Sequence, residues 1–171
     1  NGTDTYRGSV YVYDLDGNFE TRITASDRAA YDNFGFKVAV GNGKIAVSAI
    51  YDDDTFSASG SVYVYNLDGT GEVKINASDA AQSDQFGRGL AIANNKVIVG
   101  AHIKNGNTGA AYVYDLDGTN EVKLTASDGA VNERFGFAVA GSDNKVFIAA
   151  SDESSVINNF TYTRNGAVYV Y

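Results

Sequence analysis

The densest array of potential ligand oxygens in the chain is Tyr51-Asp52-Asp53-Asp54, with Phe56 close behind. Successive carboxylates in a loop could hold a hard cation such as Ca2+, which gathers roughly six to eight oxygen ligands. The same run also reads as a solvated acidic loop. Asp16, Asp68 and Asp117, each in a Leu-Asp-Gly triplet, raise the calcium question again. Turn chemistry answers it more simply, because Asp-Gly supplies the positive φ angles of a tight hairpin. His102 is the one imidazole, and its neighbours Ile103, Lys104 and Asn105 suggest an exposed loop position. No serine stands in a G-x-S-x-G elbow. Folding could bring two carboxylates together as in a glycosidase, but nothing in the spacing selects a pair. No catalytic residue is therefore assigned, and the expectation is a protein that is not an enzyme.

Composition narrows the partners. Twenty-one acidic residues against thirteen basic ones leave a formal charge of −8. Nucleic acid is excluded, because neutralising phosphates needs a basic footprint. No apolar run approaches the length of about 18 residues needed for a spanning helix, so membrane insertion is not expected. The chain holds no Cys, Met, Trp or Pro, so redox compartment cannot be argued from thiols. No signal sequence is present in this chain, which starts at Asn1.

What must position these residues is a repeat. Leu-Asp-Gly begins at Leu15, Leu67 and Leu116, Ala-Ser-Asp at Ala25, Ala77 and Ala126, and Phe-Gly at Phe34, Phe86 and Phe135. All three marks step by 52 and then 49 residues. The phrase "GSVYVYDLDG" at Gly8–Gly17 returns at Gly60 and Gly109, and a shortened copy, "GAVYVY", ends the chain at Tyr171 after an insertion. Within a period four strand-like runs stand out: Phe36–Val40, Lys44–Ile50, Ser61–Asn66 and Glu72–Asn76. No sustained 3.6-residue apolar period exists, so helices should be scarce. In "SVYVYD" Val10 and Val12 face one way and Tyr11 and Tyr13 the other, so neither face is polar. Sheets of that kind need cover on both sides, which four-stranded blades stacked around an axis provide. The expected fold is an all-β propeller of four-stranded antiparallel blades, with about three blades in this chain. Its parts are a strand 3–4 pair at residues 8–26, blades at 34–78 and 86–127, and an incomplete blade at 135–171. That arrangement counts thirteen strands in one propeller segment, residues 1–171.

The marks resemble the FG-GAP repeat, the blade unit of the integrin α-chain head, in its bacterial or environmental variety. The resemblance is carried by "GAAYVYDLDGTNEVKLTASDGAVNERFGFAVA" from Gly109 to Ala140 and by its two companion copies. Members usually form seven-bladed propellers that work in adhesion or ligand binding, so an extracellular or cell-surface location is implied. The GAP element departs from the family, reading Ser48-Ala49-Ile50, Gly100-Ala101-His102 and Ala149-Ala150-Ser151. The loops that carry the family's D-x-D-x-D-G calcium pattern here read "GNG", "ANN" and "GSDN", so that calcium site is not expected.

Function is then expected in the loops that vary between repeats, since a repeated scaffold carries its specificity there. The candidate ligand contacts are Tyr51, Asp52, Asp53, Asp54, Phe56, His102, Lys104, Phe160, Tyr162 and Arg164. Asp52, Asp53 and Asp54 are the candidate metal ligands, and no other cofactor is called for. The recurring Ala-Ser-Asp triplets, with Asp32, Asp84 and Glu133, are expected to cap backbone N–H groups between blades. The Phe-Gly pairs read as core anchors beside a conformationally special glycine. The leading expectation is a binding or adhesion module for a protein or glycan ligand. A structural subunit that self-assembles into a ring or filament by strand complementation is the alternative, and a lectin a further one. Three blades are fewer than the usual four to eight. A homo-oligomer or the continuation of a longer propeller is accordingly expected.

Overall fold

The computed structural model describes residues 6–152, 155–157, 160–162 and 166–171. Its elements run β1 (Val10–Tyr13), β2 (Phe19–Ile23), β3 (Phe34–Gly41), β4 (Lys44–Ala49), β5 (Ser61–Asn66), β6 (Val73–Ile75), β7 (Gly89–Ala93), β8 (Lys96–Ala101), β9 (Ala110–Asp115), β10 (Val122–Leu124), β11 (Phe135–Gly141), β12 (Val146–Ala150), β13 (Ser155–Ile157), β14 (Phe160–Tyr162) and β15 (Ala167–Val170). The one helical turn among the described residues, Lys104–Asn107, has Asn105 and Gly106 in left-handed backbone, so it is a tight loop in practice.

Two complete blades, β3-β4-β5-β6 and β7-β8-β9-β10, are four-stranded antiparallel sheets in sequence order. The leading pair β1-β2 and the three-stranded set β11-β12-β15 flank them. The count exceeds thirteen because the insertion in the last repeat forms its own hairpin, β13-β14, with Val156 opposite Thr161. A period-2 reading of that stretch is masked by its Ser, Asn and Thr residues.

The two-faced strands pack as their alternation requires. On one face of the first complete blade Ile45 lies opposite Tyr65 and Val47 opposite Tyr63, while Ala46 lies opposite Val64 on the other. The Tyr face packs with Phe34, Ile23 and the valines Val10 and Val12 of the leading pair. The Val face packs with Phe86, Val97, Val99, Tyr112 and Tyr114 of the second complete blade. At the next interface Ala111 meets Phe135, Ile148 and Tyr169. Each blade thus offers valine or alanine forward and tyrosine backward, and a Phe-Gly phenylalanine fills the seam between. Phe86 meets Tyr112 edge-on, with ring centroids 5.5 Å apart, and Phe34 meets Tyr63 in the same way. Such pairs add about 1 kcal/mol beyond the area they bury.

Glycine marks the tightest seams. A Cβ on Gly60 would lie 2.3 Å from the Phe86 carbonyl oxygen, and one on Gly109 2.0 Å from that of Phe135. Both residues also have φ above +80°. The glycine after each core phenylalanine is likewise left-handed, with φ of +90°, +100° and +89° at Gly35, Gly87 and Gly136. The glycine that opens the tyrosine phrase is therefore a blade-contact residue as much as a turn residue.

Candidate functional site

Polar latches cross each seam. Tyr63, Tyr112 and Tyr169 donate their hydroxyls to Asp27, Asp79 and Asp128, the Asp of the Ala-Ser-Asp triplet one blade back. Glu72 takes the Ser26 backbone N–H at 3.0 Å, the Ser26 hydroxyl at 2.6 Å and the Tyr65 hydroxyl at 2.9 Å. Glu121 repeats that grip on Ser78 and Tyr114. Burial pushes the Tyr63, Tyr65, Tyr112 and Tyr114 hydroxyls far above their usual range, and the accepting carboxylates push them further. They stay protonated donors.

The expected capping role divides between two sets of residues. Asp84 accepts the Ala81 N–H at 2.7 Å, Glu133 accepts that of Ala130 at 2.6 Å, and Asp32 accepts that of Ala29. The triplet Ser and Asp bond instead to side chains of the following blade. Sequence spacing shows the recurrence of the triplet but not its partner, which lies more than thirty residues away.

The acidic run does not act as a unit. Asp52 is buried, at 3% exposure, and accepts the Tyr63 hydroxyl at 2.7 Å. Its carboxylate joins those of Asp27 and Asp54, all within 4.8 Å of one another, while Asp53 points elsewhere. The Lys74 ammonium stands among the three, 2.7 Å from Asp27, 3.1 Å from Asp52 and bonded to Asp54. Burial opposes the Lys74 charge, but the Asp27, Asp54 and Asp52 carboxylates outweigh it and raise its pKa. Burial likewise works against the Asp27 carboxylate, yet the bonds from Lys74 and Tyr63 hold it below its usual value. Asp27 and Lys74 belong to this cluster although the spacing of the acidic run does not point to them.

Asp52 has a direct counterpart. Gly60 N–H bonds to the Asp52 carbonyl and Gly109 N–H to the Lys104 carbonyl, so the two residues hold one position in successive blades. Lys104 is 3% exposed and sits 2.7 Å from Asp84 and 3.3 Å from Asp79. Lys123 reaches Asp79 at 2.6 Å from the other side. Burial would raise the Asp79 carboxyl, but Lys123, Tyr112 and the Lys104 charge bring it down to about 2. The first cluster, with Asp in place of that buried ammonium, is left acidic. Asp32 is accordingly raised, by burial first and then, against the bond from Ala29, by the charges of Asp52, Asp53 and Asp27.

Three loop candidates therefore need correcting as ligand contacts: Asp52, Lys104 and His102 are all buried, and Asp52 is taken up by Tyr63 and Lys74. Lys104 is a buried blade-to-blade tie. His102 is not an exposed loop residue but is 7% exposed, edge-on to Phe137 at 5.6 Å. Burial, then the charges of Arg88 and Arg134, lower its pKa to about 4. Its position is held by Ile50 in the previous blade, so an apolar slot was built for it. Phe160 and Tyr162 lie in β14, and Arg164 lies outside the described residues.

The exposed chemistry gathers beside the leading seam. Tyr6, Ala30, Tyr31, Asn33, Tyr51, Asp53, Ser57 and Ala58 line a cleft of about 440 Å3. Tyr6 and Tyr31 stack with centroids 5.8 Å apart and ring planes 27° from parallel. Tyr51 and Asp53 come from the expected set, and Phe56 is exposed on the same loop. Tyr6, Tyr31 and Asn33 are not in that set, although one signal existed in the sequence. Stepping by 52 and 49 residues, position 6 reads Tyr, Ala58, Asn107 and position 31 reads Tyr, Ser83, Asn132. Aromatic residues thus appear where the other repeats are small or polar.

A family model described as FG-GAP repeat matches residues 18–65, 70–114 and 119–171. Comparison with curated proteins returns no match. Among the described residues no helix is long and apolar enough to cross a membrane.

Proposed function

The chain belongs to the FG-GAP repeat family, a β-propeller family, and from that premise we propose that it is a non-enzymatic ligand-binding or adhesion module of the cell exterior. One observation carries the reading. The Tyr hydroxyls and triplet carboxylates that recur in the repeat are spent on seams between blades. The chemistry left facing solvent is in loops that differ between repeats, and those after β4 and β8 return to equivalent places, with Gly60 N–H on the Asp52 carbonyl and Gly109 N–H on that of Lys104. A ligand met through such loops would be a protein or a glycan.

The reading needs no metal at the acidic run, because the Lys74 ammonium supplies the positive charge among Asp27, Asp52 and Asp54. Thermal melting in millimolar calcium and in chelator should give one midpoint. A calcium-dependent rise would instead make those three carboxylates a cation site that displaces Lys74.

The test of binding is a loop exchange. The chain, labelled at its amino terminus, is screened on arrays of extracellular proteins and glycans beside a variant whose residues 51–59 are replaced by the sequence of 103–108. Binding that the exchange abolishes, with melting retained, supports the reading. Binding indifferent to the exchange, or none on any array, overturns it.

A second reading has its own observation. Tyr11 and Tyr13 are more than half exposed, whereas their counterparts Tyr63 and Tyr65 are fully covered by the valine face of the preceding pair. Val168 and Val170 show the opposite face, also uncovered. The two surfaces are complementary in the manner of the internal seams, so a repeat of the same kind, from this protein or a second copy, fits them. Light scattering decides between copies: a mass above one chain that Tyr13→Lys reduces supports self-assembly, and a monomer at all concentrations rules it out.

A further inference from the structure

We propose that the cleft between Tyr6, Tyr31 and Tyr51 is a binding site for a neutral saccharide; this rests on the ligand-binding reading above and names its ligand class. The backbone at this place is built three times. Asn33 N–H bonds to the Tyr6 carbonyl, Gln85 N–H to that of Ala58, and Arg134 N–H to that of Asn107. All six residues have positive φ, and so do Tyr31, Ser83 and Asn132. The fold therefore needs a left-handed residue at each of these positions, which Asn tolerates and a bulky ring does not favour. In the last copy Asn107 and Asn132 satisfy that need and hydrogen-bond each other at 3.0 Å. In the middle copy Ala58 and Ser83 satisfy it with almost no side chain. In the first copy two tyrosines occupy the same pair of positions, with φ of +55° and +76°. They are 66% and 61% exposed, so their rings are not there for the core.

What the rings make is a platform. The outer faces and edges of the stacked pair, with Tyr51 in the same lining, offer an apolar aromatic surface on which a sugar ring can lie. Around it stand an amide, a carboxylate and a hydroxyl from Asn33, Asp53 and Ser57. Among the described residues these three side chains have no hydrogen-bond partner, so they are left to pair with ligand hydroxyls. A volume of about 440 Å3 lies in the range of small-ligand sites. The charge of the setting selects against the other ring-stacking ligands. Nucleotides bring phosphates, and uronic or sialic acids bring carboxylates, toward Asp53 in the lining and Asp32, Asp52 and Asp54 near it. The Arg7, Arg22 and Arg28 guanidinium groups belong to the neighbouring cleft, on which Tyr6 also borders. A neutral sugar presents an apolar ring face and hydroxyls with no charge to repel.

The repeat supplies the test variants. Tyr6→Ala and Tyr31→Ser install what positions 58 and 83 already carry, so the double variant should melt at or above the wild-type midpoint. Titration calorimetry with maltohexaose, cellohexaose, xylohexaose, mannohexaose and N-acetylchitohexaose is run on both proteins, together with tyrosine fluorescence, which no Trp obscures. Saturable binding of at least one probe, weakened about tenfold or more in the double variant, is expected from losing two stacking rings. Binding that survives in the double variant overturns the cleft while leaving a ligand-binding module intact. No saturable binding to any of the five overturns the saccharide inference, and the loop-exchange screen on protein arrays then judges the broader reading separately.

Discussion

Asp52 and Lys104 hold one backbone position in successive blades with opposite charge, and that difference sets the electrostatics of the two seams. Around Lys104 the charges balance, with Asp79 and Asp84 against two lysines. Around Asp52 they do not, and Asp32, whose pKa is raised first by its burial, is raised further by the charges of Asp52, Asp53 and Asp27. A group whose folded pKa exceeds its unfolded one destabilises the fold above the folded value, and that penalty fades as pH falls through the unfolded value. Asp52→Lys should therefore stabilise by about 1 kcal/mol at neutral pH, in the ordinary range for surface-charge and seam optimisation. The gain should shrink toward pH 4, and urea melts at both pH values check it. His102 argues in the other direction. Its buried ring stays neutral to about pH 4 while the unfolded chain takes a proton near 6.5. Its contribution is thus complete above the unfolded value and lost as pH falls through it. Between neutrality and pH 4.5 the protein should lose roughly 2 kcal/mol that His102→Ile does not lose. Parallel pH–stability curves for the two proteins would refute this.

At the level of strands and turns the decisive contacts are backbone to backbone. Gly109→Ala would place a methyl carbon into the Phe135 carbonyl at a left-handed φ, so a loss of more than about 3 kcal/mol is expected. Gly43→Ala, in an open hairpin turn with nothing near its Cβ, should cost about 1 kcal/mol from its φ of +72° alone. Chemical denaturation of the two variants measures the difference. These elements also show what a single sequence reveals. Strand order, the two-faced strands and the Phe-Gly anchors follow from a period of 2 inside a period near 50, because both express packing that recurs in each blade. The third strand, Ser61–Asn66, has the same bounds in sequence and structure, while the first and fourth shift by one or two residues. The partners of Asp27 and Asp79 were not legible, since a hydrogen bond across a seam leaves no mark on local spacing. His102 and Lys104 were misplaced for a related reason: a polar residue in a loop looks exposed until the neighbouring blade is set beside it. The cleft was half legible through Tyr51 and Asp53, and its other half, Tyr6 and Tyr31, shows only when repeats are laid over each other.

For the molecule as a whole, blades that touch only their neighbours make stability a sum of seams rather than one cooperative core. The described seams are unequal. The two complete blades share the largest, with twelve buried residues from both sheets and a matched pair of Glu121 and Lys104 ties across it. The seam to the trailing blade has four buried residues and, in place of a Glu latch, a single bond from the Tyr171 hydroxyl to the Thr125 carbonyl. The leading pair contributes only two strands, with Val10 and Val12 half-buried against the first complete blade. Opening should therefore be graded along the chain. Native-state hydrogen exchange is expected to show the slowest amides in β4, β5, β8 and β9, which are covered on both faces, and faster ones in β1–β2 and β11–β15. Glu121→Gln keeps its hydrogen bonds to Ser78 and Tyr114 imperfectly and loses the charge, so it should bring the central strands toward the rates of the flanks. Adding a partner that covers Tyr11 and Tyr13, or Val168 and Val170, should instead slow exchange at the covered flank first. Uniform protection across the four blade sheets would mean that the stack unfolds as one unit, and the seam-by-seam account would fall with it.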